Sequence, residues 1–143
     1  MSMITDTRRA TFAGIADVLI PASEGMPAAS TVDVHGKMLD HVLSLRPDLV
    51  DNLLRGLDSA QGQDPQSAAN ALNKTDAAAL SAIGLAASAG YYMTPQVRAL
   101  IGYPGQQSRP ETDPDATPEY VANGMLQVVI NRGAIFRPTP KNG

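Results

Sequence analysis

Apolar residues recur along this chain at three- and four-residue intervals, the spacing of one face of an α-helix. Phe12, Ile15, Ala16, Leu19 and Ile20 make the first such stripe, preceded by the capping oxygens of Thr5, Asp6 and Thr7 and stopped by Pro21. The stretch from Ala22 to Ser30, with Gly25, Met26 and Pro27, reads as a loop. Val34, Met38, Leu39, Val42 and Leu45 predict a second helix from about Val32 to Leu45, with Asp33 and Lys37 as a solvated i, i+4 pair and Gly36 at a close crossing. Leu49, Val50, Leu53, Leu54 and Leu57 predict a third, opened by Pro47. Asp64-Pro65 places a cap before a first-turn proline and starts a short helix through Leu72.

Thr75-Asp76 caps a helix from Ala77 to about Gly90. Its residues are small on every face, which lets neighbours approach closely and makes it the expected centre of the bundle. Thr94-Pro95 opens another short helix to Ile101, and Gly102 ends it. A polar stretch from Gln106 to Ala116 reads as a long loop, of the kind that is commonly functional. Thr117-Pro118-Glu119 opens a last helix to about Asn131, with Val121, Met125, Val128 and Val129 expected inside. Ile135 to Pro140 reads as an irregular tail, and only Leu126 to Ile130 has a β-like apolar run. The expected fold is all-α: a compact bundle of about five to six helices, with a long loop before the last helix and an irregular C-terminal tail. The 143 residues are expected to form a single domain, 1–143.

Composition narrows the function classes. The absence of cysteine excludes disulfides and thiolate metal sites. A net charge of -3 without a basic stripe gives no footprint for nucleic acid. No run approaches the ~20 apolar residues that a membrane helix needs. Arg8-Arg9 resembles a twin-arginine signal, but Asp17 and Pro21 interrupt the apolar stretch that follows. The expected location is therefore cytoplasmic, with periplasmic placement by co-export as the alternative. Only 17% of residues are charged, which fits a surface covered in part by a partner.

No catalytic constellation emerges. His35 and His41 are six apart, not the i, i+4 of a helical metal pair. Glu111, Asp113 and Asp115 lack the glycine and distal glutamate of a calcium loop. Gly102-Tyr103-Pro104-Gly105 lacks the lysine and preceding strand of a phosphate cradle, and no Gly-x-Ser-x-Gly elbow occurs. The most distinctive stretch is Gly90 to Gln106, which holds three of the four tyrosines between glycines and prolines. Tyr91, Tyr92 and Tyr103 suit interface anchors, and they also suit packing over the end of the bundle. Arg132 and Arg137 suit either helix-end capping or, with Phe136, an arm laid on a partner.

Four segments together resemble the gluconate 2-dehydrogenase subunit 3 family. They are Phe12-x-x-Ile15-Ala16-Asp17-x-Leu19-Ile20-Pro21; the loop and helix that follow; Tyr91-Tyr92-x-x-Pro95-x-Val97-x-x-x-Ile101-Gly102-Tyr103-Pro104-Gly105; and Asn131-Arg132-Gly133-Ala134-Ile135-Phe136-Arg137. The resemblance implies a small helical subunit that is not an enzyme by itself, without a redox centre. It would support the folding, stability or export of a large FAD-dependent oxidoreductase of the glucose-methanol-choline type. FAD, the catalytic groups and the sugar, glycoside or alcohol substrate would then belong to the partner. This chain would have no catalytic, cofactor-binding or metal residues, and the pair could join a higher hetero-oligomer. Its expected interface takes in Tyr91, Tyr92, Met93, Pro95, Tyr103, Pro104, Gln106, Arg132, Phe136 and Arg137. The alternatives are a stand-alone helical enzyme or ligand carrier, with Tyr92, His41 or Asp17 as the polar groups of a site between helices, and a homo-oligomerising helical adaptor.

Overall fold

The computed structural model describes residues 4–107 and 116–135. It divides into two compact units, Met1–Gln106 and Gln107–Gly143, and each is taken by itself. The all-α expectation holds: the described residues form helices and turns, with no strand.

The first unit holds α1 (Asp6–Leu19), α2 (Lys37–Leu45), α3 (Val50–Ala60), α4 (Pro65–Thr75), α5 (Ala77–Met93) and α6 (Pro95–Leu100), with short 3-10 turns before α2 and α3. Three of the capping residues read from sequence act as such, whereas Thr94 and Thr117, also expected to cap, make no cap hydrogen bond: the Thr94 hydroxyl donates to the Tyr91 carbonyl, and the helix expected at Thr117 starts after Pro118. Thr5 Oγ1 accepts from the Arg8 amide, Asp64 from Ser67, and Asp76 from Ala79. Each satisfies one of the amides that a helix start leaves without an intrahelical acceptor.

α5 is the central helix, packing against α1, α2, α3, α4 and α6. Ala79, Ala82, Ala86, Ala87 and Ile83 are buried along it, and larger side chains from its neighbours close over them. Phe12, Ile15, Leu39, Leu53, Leu57, Ile83, Val34 and Val97 are the largest fully enclosed side chains. Burying each of the larger ones is worth ~1.5–3 kcal/mol. The close helix crossing is at Gly56, where a β-carbon would lie 2.9 Å from that of Ala79, whereas at Gly36 the close neighbour is the Asp33 carboxylate of the preceding turn.

The second helix starts later than the pattern predicts. Ser30–Val32 is a 3-10 turn, and Asp33 takes a left-handed conformation (φ 56°), which breaks the helix path before Gly36 caps α2. The Asp33–Lys37 helical pair therefore does not form, and Asp33 faces His35, Nε2 to Oδ1 3.6 Å. α1 is tied to this region through Arg9. Arg9 makes a two-pronged contact with Asp40 (2.7 and 2.8 Å) and donates to the carbonyls of His35 and Gly36. Arg8 clamps Asp58 of α3 with a true fork, Nε and Nη2 each donating to one carboxylate oxygen (2.7 Å each), whereas Arg9 reaches both Asp40 oxygens from Nη2. The twin arginines thus act as ties from α1 to its neighbours.

The second unit departs from its expectation. Where one helix is predicted to Asn131, there are two short ones, α7 (Glu119–Ala122) and α8 (Gln127–Arg132). Gly124 (φ +76°) cannot continue a helix, and Asn123 Oδ1 accepts from the Met125 amide to hold the break. Val121, Met125, Val128 and Val129 do not point inward; they are exposed, from 44% for Val121 to 77% for Val128. Most of the polar loop, with Glu111, Asp113 and Asp115, and the tail from Phe136 lie outside the described residues.

Candidate functional site: the end of the central helix

The stretch Gly90–Gln106 is less of a loop than its composition suggests. α5 runs on through Tyr91, Tyr92 and Met93, Thr94 forms the corner, and α6 follows at once. Thr94 Oγ1 donates to the Tyr91 carbonyl at 2.8 Å, so the corner satisfies its own buried hydroxyl. Gly102 (φ +69°) then ends α6, as its place in the sequence predicts.

This geometry separates the tyrosines. Tyr91 turns inward, 2% exposed, and its hydroxyl donates to the Pro27 carbonyl at 2.7 Å. Burial raises its pKa, with a smaller push from Tyr92, so the phenol stays a donor well past neutrality. Tyr91 is thus a core residue rather than the surface anchor expected of it. Tyr92 stands edge-on to it, ring centres 5.4 Å apart, yet is 56% exposed. Tyr103 is also half exposed.

Three shallow grooves meet this end of the unit. The first, about 420 Å³, is lined by Val42, Leu49, Leu85, Ala89, Tyr92 and Met93 together with Arg46 and Ser88. Arg46 is already paired with Asp48 at 2.7 and 2.8 Å, so the groove offers chiefly apolar area. The second, about 290 Å³, gathers Tyr92, Met93, Tyr103 and Gln106 around Arg98 and Gly105. The third holds Pro95 and Gln96 beside Val32, Asp33, Lys37 and Met38. The structure therefore brings together Tyr92, Met93, Tyr103 and Gln106, with Pro95 one turn away at the start of α6. Pro104 is exposed on the same loop. Arg132 is exposed at the last turn of α8 in the other unit, and Phe136 and Arg137 lie outside the described residues.

The residues of the stand-alone reading are not assembled. Both Asp17 oxygens are taken by Ser30, one by its amide (2.7 Å) and one by its hydroxyl (2.6 Å). The two grooves that Tyr92 lines include neither Asp17 nor His41. Among the described residues no three potential metal ligands cluster, and no helix is long and apolar enough to cross a membrane.

Against known proteins the chain matches no family model, no curated protein and no solved structure. Its function must therefore be argued from this surface. Two members of the site escape the periodicity reading. Leu85 looks like a core residue on a helix apolar all round, and only the packing shows it exposed. Arg98 carried a usable signal, being the one charged residue between Gly90 and Gln106.

Proposed function

We propose that this chain is a non-catalytic binding subunit, and that its partner is a large FAD-dependent oxidoreductase of the glucose-methanol-choline type. One observation carries the binding part: Leu85, Tyr92 and Met93 stand in water around an apolar groove at the end of the most buried helix. Large apolar side chains gathered on one surface mark interaction sites, whereas scattered ones are ordinary. Exposed Tyr120, Met125, Val128, Ile130 and Ile135 in the second unit point the same way. Such a lining provides area and shape rather than acid-base groups.

The partner's identity rests on the resemblance carried by the four segments taken together, of which Tyr91–Gly105 is the most specific. In that reading FAD belongs to the large chain. The Gly102–Gly105 turn here follows a helix and folds back on Arg98, unlike the strand–turn–helix that cradles a dinucleotide. The work of this subunit is to shield apolar surface of the large chain, across an interface upward of ~2,000 Å².

Coexpression with a FAD-dependent oxidoreductase of the glucose-methanol-choline type from the same genome tests this. The expected result is a yellow complex that stays together through size exclusion, and a large subunit that loses FAD or aggregates when made alone. A large subunit fully active and stable without this chain overturns the reading. A homodimer of the isolated chain that refuses the flavoprotein would favour the adaptor alternative.

A further inference from the structure

Arg98 sits in a built cradle. Its guanidinium carbon lies 5.5 Å from the Tyr103 ring centre, so the cation rests against an aromatic ring. The Tyr103 amide donates to the Arg98 carbonyl at 2.8 Å, which closes the turn back over its own helix. Gly105 (φ +96°) then presses its backbone to the side chain: a β-carbon there would stand 2.5 Å from Nη2. Nε is buried and has no hydrogen-bond acceptor. Among the described residues no carboxylate pairs with Arg98, whereas Arg8, Arg9, Arg46 and Arg55 all hold an aspartate. None of the six residues lining the 290 Å³ groove is acidic.

A guanidinium with a buried, unsatisfied N–H is costly to keep, and its planar fork matches a carboxylate in two-point contact. Tyr92 and Met93 beside it supply apolar walls. We propose that the Arg98 cradle receives an aspartate or glutamate side chain of the partner protein, flanked by apolar residues that seat against Tyr92 and Met93. The inference rests on the reading that a partner protein covers this face, and it names the chemistry that the partner must present. Nε itself is enclosed, so an incoming group meets the remaining guanidinium edge that lines the groove, and charge selects a carboxylate over a neutral amide because only the carboxylate brings the opposite charge that no described residue supplies. The walls select a protein segment over a free anion.

The test is an NMR titration of the full-length, 15N-labelled chain with acetyl-Leu-Asp-Leu-amide, and separately with acetyl-Leu-Asn-Leu-amide and with acetate. The expected result is a saturable shift of the Arg98 Nε–H and Gly105 amide signals with the aspartyl peptide, at least about tenfold tighter than with either control. Arg98→Gln, with an unchanged circular dichroism spectrum, should abolish the Gly105 shift. No saturable response to the aspartyl peptide, or an equal response to the asparaginyl peptide, overturns the proposal. Equal binding of acetate overturns the protein-segment part of it. Failure of the flavoprotein complex with the aspartyl response intact would sink the partner's identity alone. A complex formed by Arg98→Gln at unchanged affinity would sink this inference alone.

Discussion

Two adjacent tyrosines with opposite environments allow stability and binding to be separated at single residues. Tyr91→Phe removes the donor to the Pro27 carbonyl, and the expected cost is ~1–2 kcal/mol, seen as a lower urea midpoint at unchanged slope. Tyr92→Ala should leave the midpoint within ~0.5 kcal/mol of the parent, as exposed positions do, yet weaken partner capture at least about tenfold. The reverse pattern would mean that the inner and outer roles are misassigned. The aspartates make a second residue-level case. Asp58 is held below the usual carboxylate range chiefly by the hydrogen bond from Arg8. Asp64 is lowered chiefly by the Ser67 amide, and Asp76 chiefly by Arg55 and then by the Ala79 amide. A carboxylate with a lowered folded-state pKa contributes stability above its unfolded value, and that stability is lost as pH falls through the folded one. Urea midpoints should therefore be flat from neutrality to about pH 5 and fall below about pH 4. Asp76→Asn keeps a capping oxygen but cannot ionise, so its acid limb should be shallower than the parent's; an unchanged limb would remove Asp76 from the account.

Among elements, what could be read from sequence followed local chemistry. Asp64-Pro65, Thr75-Asp76 and Thr94-Pro95 mark real helix starts because their signals act within a few residues: a capping carboxylate at Asp64 and Asp76, and the pre-set φ of a first-turn proline at Pro65 and Pro95. The misreadings came where local and periodic signals conflict. Val34 continues the stripe of α2 toward the N-terminus, but the left-handed Asp33 interrupts the backbone that would carry it, and the helix starts only at Lys37. Val121 to Val129 keep helical spacing across Asn123-Gly124, a dipeptide whose turn preference was there to be read. What no local signal showed was distance: Arg8 meets Asp58 across fifty residues, and the role of the arginine pair is clear only once α1 lies on α3. The α3–α5 contact gives the prediction at this scale. Gly56→Val places a branched side chain against Ala79, whose β-carbon cannot swing away, so the helices must part. Overpacking of this kind costs ~1–3 kcal/mol, and valine recovers little of the helix propensity that alanine would. Thermal unfolding followed at 222 nm should show the loss; a variant as stable as the parent would mean that the crossing is looser than 2.9 Å implies.

Taken as a whole, the molecule is uneven in where its stabilising burial lies. Every member of the apolar core, from Ile4 to Val97, belongs to the first unit. α7 and α8 have four and six residues and enclose none of their own side chains. Helices that short are marginal in water without tertiary burial. A chain that keeps valines, isoleucine and tyrosine exposed on such helices retains apolar area that its own core does not use, as a subunit meeting a larger partner would. The fragment 1–106 should accordingly unfold cooperatively, with a midpoint matching that of the full chain. It should also capture the proposed partner more weakly than the full chain, because the apolar residues of α7 and α8 are gone. Equilibrium unfolding and a pull-down of the two forms side by side check both halves. A fragment that melts early would show that the core needs residues beyond Gln106, and one that binds at full strength would place the whole interface on the first unit.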